Sequence, residues 1–505
     1  MYCSWNWRLW TALAFLWLAA GCMVGPKYKR PETMADRVDR YANAPQKTLD
    51  ANEVERPDQW WERFGDPTTA DLVTRALEQN YDLKAEAARV LQAQAILGQA
   101  RGLLWPSASY SLMGDRSKRF FNFGGDDSDS LFGPPDPNSP FDFSGLKFSP
   151  VVTTWSQSIS VTYLVDLFGK LRHAERAAWA TLLATGASQQ TMTNAVIAGV
   201  IWARVNIATQ QRRLDIVRGN IKSWERTLEI TERRYKEGLI GPVDVRLART
   251  NLEMVRAQEP GLRLSLATAA NALDVLLAQP PGASPSLPAS LPDLPELEVI
   301  AVSVPAALLD RRPDVRAAEL QLVAANEQVG VSIAQLYPDL ALTGLYGFSG
   351  TTWNDIWAPN AQSEIYSTIM SFSAPIFQGG RLRAQVRAAK ARFAELASVY
   401  AGTVLTAMRE VEDALISERL LHEQLEHVVL QVHEAQAGEQ LAQQRYELGA
   451  ENILTVLESQ RQRRVAEEHL AILKGQIWVA RINLHLAIGG DWNRGEPTDE
   501  QVARE

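Results

Sequence analysis

The sequence contains very little cysteine or histidine, the residue types that most metal centres and many nucleophilic active sites require. It has two cysteines and six histidines in 505 residues. His422 and His427 are five positions apart, whereas imidazoles four positions apart would share one helix face beside a metal ion. A phosphate-binding glycine loop and a nucleophile elbow are also missing from the sequence. We therefore expect no metal site, no cofactor and no enzymatic activity.

Long apolar segments are scarce as well. Beyond the N-terminus, no segment reaches the roughly 18 uncharged apolar residues of a transmembrane helix, so any passage through a membrane would use strands. The N-terminal run from Leu9 to Ala20 follows Arg8 and is typical of a secretory signal. It ends in the letters AAGC, which resemble the lipobox of bacterial lipoproteins. We predict a lipoprotein signal peptide over residues 1–21 and acylation of Cys22, and an ordinary signal with an incidental cysteine is the alternative.

The charges do not favour nucleic-acid binding. The net charge is −8, and acidic and basic residues are interspersed, so that no basic stripe forms. With 46% hydrophobic and 22% charged residues, the composition is that of a globular protein. The length allows two or three domains.

Proline is absent from residues 169–241 and 379–490, and each stretch begins with a long helical pattern. Each long helix ends at a glycine and is followed by a returning helix, as the stop and start signals of helices indicate. Pro260-Gly261 interrupts only the first returning helix, so the two should differ in bend. The predicted long helices cover 170–237 and 380–448, and the returning helices cover 242–278 and 452–488.

Both long helices carry a heptad pattern that predicts coiled-coil pairing. Glu439 falls at a position where this pattern calls for an apolar side chain, and the sequence leaves open whether it faces the seam or water. The residues at the seam positions are Leu214, Val217, Ile221, Trp224, Leu228, Thr231 and Tyr235 in the first helix, and Leu425, Val428, Val432, Ala435, Glu439, Ala442 and Tyr446 in the second.

Four shorter segments alternate between apolar and hydroxyl-bearing residues, as strands with one apolar face do. In one of them, Trp155, Ile159 and Val161 alternate with serines and threonines. Each segment has about the ten residues that a tilted strand needs to cross a membrane, although alternation alone would also suit a soluble sandwich. The predicted strands are 107–118, 151–165, 339–349 and 363–375.

The second half of the sequence repeats the first. ARGLLWPSASYSLMG, which starts at Ala100, corresponds to SIAQLYPDLALTGLY, which starts at Ser332, and Gly238 corresponds to Gly449. Such repetition marks a unit that buries its apolar faces only when it is multiplied. The predicted organisation is an N-terminal segment 22–68, a first repeat 69–278, a proline-rich linker 279–310, a second repeat 311–490 and a C-terminal tail 491–505. Each repeat is expected to begin with a helix before its two strands.

Several short motifs occur in a set order between Cys22 and about Gly490. They are GPKYKRP, DLFGKLR, RRPDVRAAE, YPDLALTG, PIFQGGRLRA and two RYxxG turns at Tyr235 and Tyr446. Together they resemble outer-membrane efflux factors of the TolC/OprM type, in the NodT lipoprotein branch. The resemblance implies an α+β membrane protein in which three chains, with four strands each, close a 12-stranded outer-membrane β-barrel that continues as a long α-helical coiled-coil barrel in the periplasm. Threefold closure agrees with the cost of leaving a sheet edge open in lipid.

The resemblance also implies a gate at the periplasmic helix turns, which open when an adaptor protein docks. By matching position, these turns lie at 235–244 and 446–458. Asp244 and Glu458 match acidic positions that narrow the entrance in relatives. Glu451 lies near the place where some relatives carry a basic gating residue, so the same gating salt bridge does not follow here. The expected tip and gate residues are Tyr235, Gly238, Asp244, Tyr446, Gly449, Glu451 and Glu458.

Two further questions about these residues stay open. Asp244 and Glu458 would also suit solvated positions near helix starts, where acidic side chains are favoured. The tyrosines could pack at the end of the coiled coil or form a hydrogen-bonded latch.

The function implied by the resemblance is that of a passive conduit for export of small molecules. The implied partners are two further copies of the chain, a periplasmic adaptor, an inner-membrane pump of the RND type and outer-membrane lipid. The implied location is the bacterial outer membrane, with a lipid anchor on Cys22 and an extension into the periplasm. The alternatives are the outer channel of a type I protein secretion system and, more remotely, a soluble periplasmic coiled-coil scaffold.

Overall fold

The structure is a computed structural model, and it describes residues 23–43, 60–118, 121–123, 146–283, 287–288, 290–292, 311–357 and 363–489. Several predicted segments lie outside the described residues. They are the signal peptide 1–21, the predicted acylation site Cys22, most of the linker 279–310 and the tail 491–505.

The described chain divides into two compact units. The described residues of the first unit come from the ranges Met1–Tyr28, Ala95–Trp179 and Ala324–Phe393, and those of the second from Lys29–Gln94, Ala180–Val323 and Ala394–Glu505. Each unit therefore combines segments of both predicted repeats. The reason is that strands of both repeats pair in one sheet, and helices of both repeats share one apolar core.

The first unit contains six strands, which are β1 Ser107–Lys118, β2 Phe121–Phe123, β3 Leu146–Phe148, β4 Val151–Val165, β5 Asp339–Gly350 and β6 Glu364–Ser373. Four of them form an antiparallel sheet in the order β1-β4-β5-β6, while β2 and β3 pair separately. Strand β4 of the first repeat pairs with β5 of the second, from Trp155 opposite Gly350 to Val165 opposite Leu340. In the described chain, β1 and β6 each have one edge without a partner strand.

The two faces of the four-stranded sheet differ in polarity, as the alternating pattern predicts. Tyr110 lies opposite Ile159, and both side chains are exposed. The next pair, Ser111 and Ser158, places two hydroxyl oxygens 2.9 Å apart. Because successive residues of a strand point to opposite faces, one face of the sheet is apolar and the other carries hydroxyl groups.

The segment Met23–Pro26, which directly follows Cys22, is docked on the first unit by buried polar side chains. The Val24 carbonyl lies 3.2 Å from Nε2 of His173, and the Pro26 carbonyl accepts a hydrogen bond of 3.0 Å from Nδ2 of Asn326. His173 and Asn326 are both buried. Residues Met23–Pro26 are therefore held in a defined place.

The helices account for most of the described chain and, with the sheet, confirm the α+β class. They are α1 Pro67–Gln79, α2 Tyr81–Gly102, α3 Lys170–Lys236, α4 Pro242–Arg256, α5 Gln258–Leu276, α6 Pro313–Ala334, α7 Trp353–Trp357, α8 Arg381–Glu447 and α9 Ile453–Ala487. None of the described helices combines the length and apolarity that crossing a bilayer as a helix demands.

Two of the predicted helices are divided, and the division of the first returning helix is the interruption that Pro260-Gly261 predicts. The first returning helix is divided at Ala257 into α4 and α5, just before Pro260, whereas its counterpart α9 is continuous. The helix that opens the first repeat is divided at Asn80, whose side-chain oxygen accepts hydrogen bonds from the backbone N–H groups of Asp82 and Leu83 and so caps α2.

The core of the second unit is built around aromatic side chains close to a buried ion pair. Trp60, Phe64 and Trp478 pack in one cluster with aliphatic residues of α3. Asp66 caps α1 by accepting a hydrogen bond from the Thr68 N–H, and its carboxylate also lies 3.4 Å from Nε of Arg204. Arg204 is fully buried, so Asp66 provides the counter-charge that compensates for the water lost from its guanidinium group.

Candidate functional site

The turn between α3 and α4 is fixed by its glycine. Gly238 has a φ of 76°, a left-handed conformation that favours glycine, and its N–H donates to the Tyr235 carbonyl over 3.0 Å. The Leu239 N–H donates to the Arg234 carbonyl over 2.9 Å. Helix α4 then begins at Pro242, whose missing N–H costs nothing in the first turn.

The turn between α8 and α9 repeats this geometry. Gly449 has a φ of 77°, and its N–H donates to the Tyr446 carbonyl over 2.9 Å. The side chain of Asn452 caps α9 by accepting from the Thr455 N–H. The structure therefore places Gly238 and Gly449 at the turns where the sequence predicts them.

Both turns expose apolar side chains. Leu239 and Val243 at the first turn, and Leu448 and Leu454 at the second, are each more than half exposed. Exposed apolar side chains that occur together mark interaction surfaces more often than isolated ones do. The turns thus have the surface chemistry of a docking region.

The two tyrosines at the turns lie in different environments despite their matching positions. Tyr446 is 3% exposed and the guanidinium of Arg234 lies over its ring, 4.6 Å from the centroid. Arg234 also donates a hydrogen bond to the Tyr446 carbonyl. The Tyr446 hydroxyl has no hydrogen-bond partner among the described residues, which favours the packing interpretation for this residue. Tyr235 is 47% exposed.

The acidic residues of the turns differ as well. Asp244 lies half-buried in the first turn of α4. Glu458 is exposed and accepts hydrogen bonds from Nε of Arg461 over 2.8 Å and from Gln462 over 3.0 Å. The hydrogen bonds from Arg461 and Gln462 lower the pKa of Glu458 to about 2, so its carboxylate stays ionised in any ordinary medium.

Glu451 supports the start of α9. Its carboxylate accepts a hydrogen bond of 3.0 Å from the Thr455 hydroxyl and one of 3.2 Å from the Asn452 N–H. Arg445 lies 4.0 Å away, at the limit of an ion pair. The contacts of Glu451 are thus local to its own turn.

The structure answers the question about Glu439, which faces inward and is 5% exposed. It belongs to a group of side chains that we call the polar clasp, and that joins α3 to α8 and α9. Sequence analysis found only Glu439, through its mismatch with the heptad pattern. The members are Asn220, Ser223 and Thr227 of α3, Glu439 of α8, and Gln460 and Arg463 of α9.

The described residues contain no group of three or more histidine, cysteine, aspartate or glutamate side chains that could hold a metal ion.

Comparisons with known proteins agree with the resemblance seen in the motifs. The model of the outer membrane efflux protein family matches residues 72–279 and 304–490. The chain is 31% identical over 443 residues to the pyoverdine export outer membrane protein OpmQ of Pseudomonas putida, which covers 88% of this chain and 90% of that protein. It is 29% identical over 489 residues to the toluene efflux pump outer membrane protein TtgF of Pseudomonas putida, with 94% and 95% covered.

Solved structures show the same fold. The chain matches the structure of the outer-membrane channel OprN with a TM-score of 0.81 and 26% sequence identity. The match covers 93% of this chain and 100% of that chain.

Proposed function

This chain belongs to the outer membrane efflux protein family, and we propose that three copies of it form a passive conduit whose periplasmic helix turns open when an adaptor protein docks. The chain is an outer-membrane component of an efflux system, as its relatives are. The proposal adds to this that the chain forms trimers, works with an adaptor and a pump, and opens at its periplasmic helix turns.

The observation that carries the assembly is the four-stranded sheet with two unpaired edges. Backbone groups at a sheet edge in lipid have no water to bond, and each unsatisfied group costs several kcal/mol. Strands β1 and β6 each leave one edge free in the described chain, so identical neighbours can continue the sheet on both sides. Three chains would give 12 strands with the apolar face toward lipid.

Support for an adaptor comes from the exposed apolar side chains at both helix turns.

Relatives are named for toluene efflux and for pyoverdine export, which favours small organic molecules as the cargo. We propose a proton-driven inner-membrane pump of the RND type as the energy source. A type I secretion partner would instead be an ATP-driven exporter.

The decisive experiment is complementation. The chain would be expressed with an adaptor and pump in a Gram-negative strain that lacks its own outer channel. We expect the complete set to lower accumulation of a small organic dye, and the purified chain to conduct ions in planar bilayers. A chain that neither conducts nor lowers accumulation would contradict the proposal, and rescue only with an ATP-driven exporter would favour the secretion alternative.

Acylation of Cys22 is part of the proposal, with the modified residue serving as a lipid anchor. It is supported by the docking of Met23–Pro26, which would fix the point where the acyl groups leave the protein. Cys22→Ala should remove the acyl groups but leave trimers in the outer membrane, because the strands would supply most of the membrane contact. Mass spectrometry and membrane fractionation would measure both effects, and complete release to the soluble fraction would show that the strands do not span.

Neutralising Asp244 and Glu458 together should lower the preference of the closed channel for cations, on the order of twofold, because carboxylates repeated around a narrow opening concentrate cations. Reversal potentials of Asp244→Asn with Glu458→Gln in planar bilayers would measure it. The control is Glu229→Gln with Glu434→Gln, which removes the same charge from exposed positions on α3 and α8. Equal selectivity in both variants would show that Asp244 and Glu458 are ordinary surface acids.

The low pKa of Glu458 predicts how the cation preference of the closed channel depends on pH. A carboxylate whose pKa is lowered keeps its charge until the pH falls toward that value, here about 2. Any cation preference due to Glu458 should therefore persist in moderately acidic buffers. In the Asp244→Asn variant, where only Glu458 contributes, a loss near the ordinary pKa of a glutamate would contradict the Arg461 contact.

A further inference from the structure

The polar clasp includes Glu439, a charged side chain at a seam position where the other seam residues are uncharged. Burying a carboxylate costs free energy unless a partner compensates for the lost water. Glu439 has such a partner in Arg463 of α9, with which it forms an ion pair. Both residues belong to the second helical hairpin, α8 with α9, so this pair does not by itself join the two hairpins.

Other bonds of the clasp cross to α3. The Ser223 hydroxyl donates to Glu439 over 3.3 Å, and Gln460 Nε2 donates to the Thr227 hydroxyl over 2.9 Å. Arg463 Nη2 donates to the Asn220 side-chain oxygen over 2.8 Å. These bonds hold α3 against the second hairpin, as the Arg234 contact with Tyr446 does nearer the turns.

Helix α3 contacts the buried Glu439 through the uncharged Ser223. Helix α9 contributes the charged Arg463 and Glu467 and the uncharged Gln460. If α3 moved away from the second hairpin, Glu439 would gain water and keep Arg463. Burial raises the pKa of the Glu439 carboxyl, and Arg463 only partly opposes that shift. The docked arrangement therefore binds a proton more tightly than a separated one.

We propose that Glu439 makes the docking of α3 on the second hairpin proton-dependent, so that acid holds the helix turns closed and neutral to alkaline medium eases their release. The proposal deepens the proposed gate and rests on it. By linkage, lowering the pH favours the state with the higher affinity for protons. Each unit of pKa difference between the docked and separated states changes their ratio up to about tenfold per chain.

The direction of the effect follows from the sign of the pKa shift. The ratio of docked to separated states begins to rise as the pH falls through the raised pKa of Glu439. It levels off below the ordinary value of a glutamate, about 4.3. Above the raised pKa, both states carry the ionised carboxylate and the ratio does not change with pH.

The test is the conductance of purified trimers in planar bilayers from about pH 8 to about pH 5, a range that approaches the ordinary pKa of a glutamate from above. We expect the open probability of the natural protein to fall about three- to tenfold on acidification. Glu439→Gln, which resembles the protonated side chain, should show the low open probability at every pH. A natural protein without this decline, or a variant that retains it, would overturn the proposal.

Glu418→Gln is the matched control. Glu418 is buried on α8 and accepts a hydrogen bond of 2.8 Å from Nε of Arg481 on α9, so it is a second buried pair on the same two helices. The open probability of this variant should still fall on acidification. If it did not, the pH response would not be specific to Glu439, and the proposal would be overturned. A natural protein that does not conduct at any pH, even with adaptor, would count against the proposed conduit itself.

A second variant covers the case in which Glu439→Gln does not assemble. Ser223→Ala removes the α3 side of the bonds to Glu439 and Gln460 without changing any charge. It should raise the open probability at about pH 5 by about twofold or more, because the docked state loses a bond that the separated state lacks. An unchanged open probability would overturn the proposal.

Discussion

Tyr446→Ala should open the resting channel and raise its conductance in planar bilayers by at least about fivefold. The ring of Tyr446 is buried in a cluster with Ile453 and Val456, and the guanidinium of Arg234 covers it. Removing a buried aromatic ring costs about 3–5 kcal/mol of packing free energy. Because Arg234 belongs to α3, part of the lost packing free energy weakens the docking of α3 on the second hairpin. A coupling of about 1–3 kcal/mol would change the ratio of docked to separated states about 5- to 150-fold.

The sequence supplies matched controls for this prediction. Tyr235 occupies the corresponding place in the first repeat and is 47% exposed, so Tyr235→Ala should change the conductance by less than about twofold. Tyr446→Phe should behave as the natural protein, since the hydroxyl of Tyr446 has no hydrogen-bond partner among the described residues. Equal effects of the two alanine substitutions, or a large effect of Tyr446→Phe, would contradict the packing role.

Asp66→Asn should destabilise the second unit by about 3–5 kcal/mol, because it leaves the fully buried Arg204 without a counter-charge. Asparagine can still cap α1, so little of this loss would come from the helix start. The free energy of unfolding, measured by urea titration of the detergent-solubilised protein, would report the change.

A double substitution separates charge from packing at this place. In Asp66→Asn with Arg204→Met, no charge remains buried, and stability should recover most of the loss. Thr74→Ala, on the exposed side of α1, is the control and should have a small effect. If the double variant were as unstable as Asp66→Asn, the pair would stabilise the unit through the packing of its side chains and not through their charges.

The local parts of this fold could be predicted from the sequence because local chemistry determines them. Gly238 and Gly449 adopt the left-handed conformation for which glycine is suited, and both end long helices as the glycine stop signals predict. The strands with alternating serines form the expected two-faced sheet. Asn80 shows the limit of this approach, since its side chain divides a helix that periodicity alone would have continued.

The parts that could not be predicted depend on contacts between distant segments. Tyr235 and Tyr446 have the same local sequence context, yet Tyr446 is buried against Arg234 of the other hairpin whereas Tyr235 is 47% exposed. Glu439 could be recognised as irregular, but its partners Ser223 and Arg463 lie on two other helices. Periodicity describes one helix at a time, so it does not identify which side chains meet across helices.

The pairing of β4 with β5 has a consequence for biogenesis. The hydrogen bonds that complete β4 come from a strand that is synthesised much later, from Asp339 to Gly350. A chain that emerges from its N-terminus therefore carries β1 and β4 as an isolated hairpin, and such a two-stranded unit is marginally stable by itself. Until β5 is present, one edge of β4 leaves its backbone groups unpaired, and such an edge can pair with other chains.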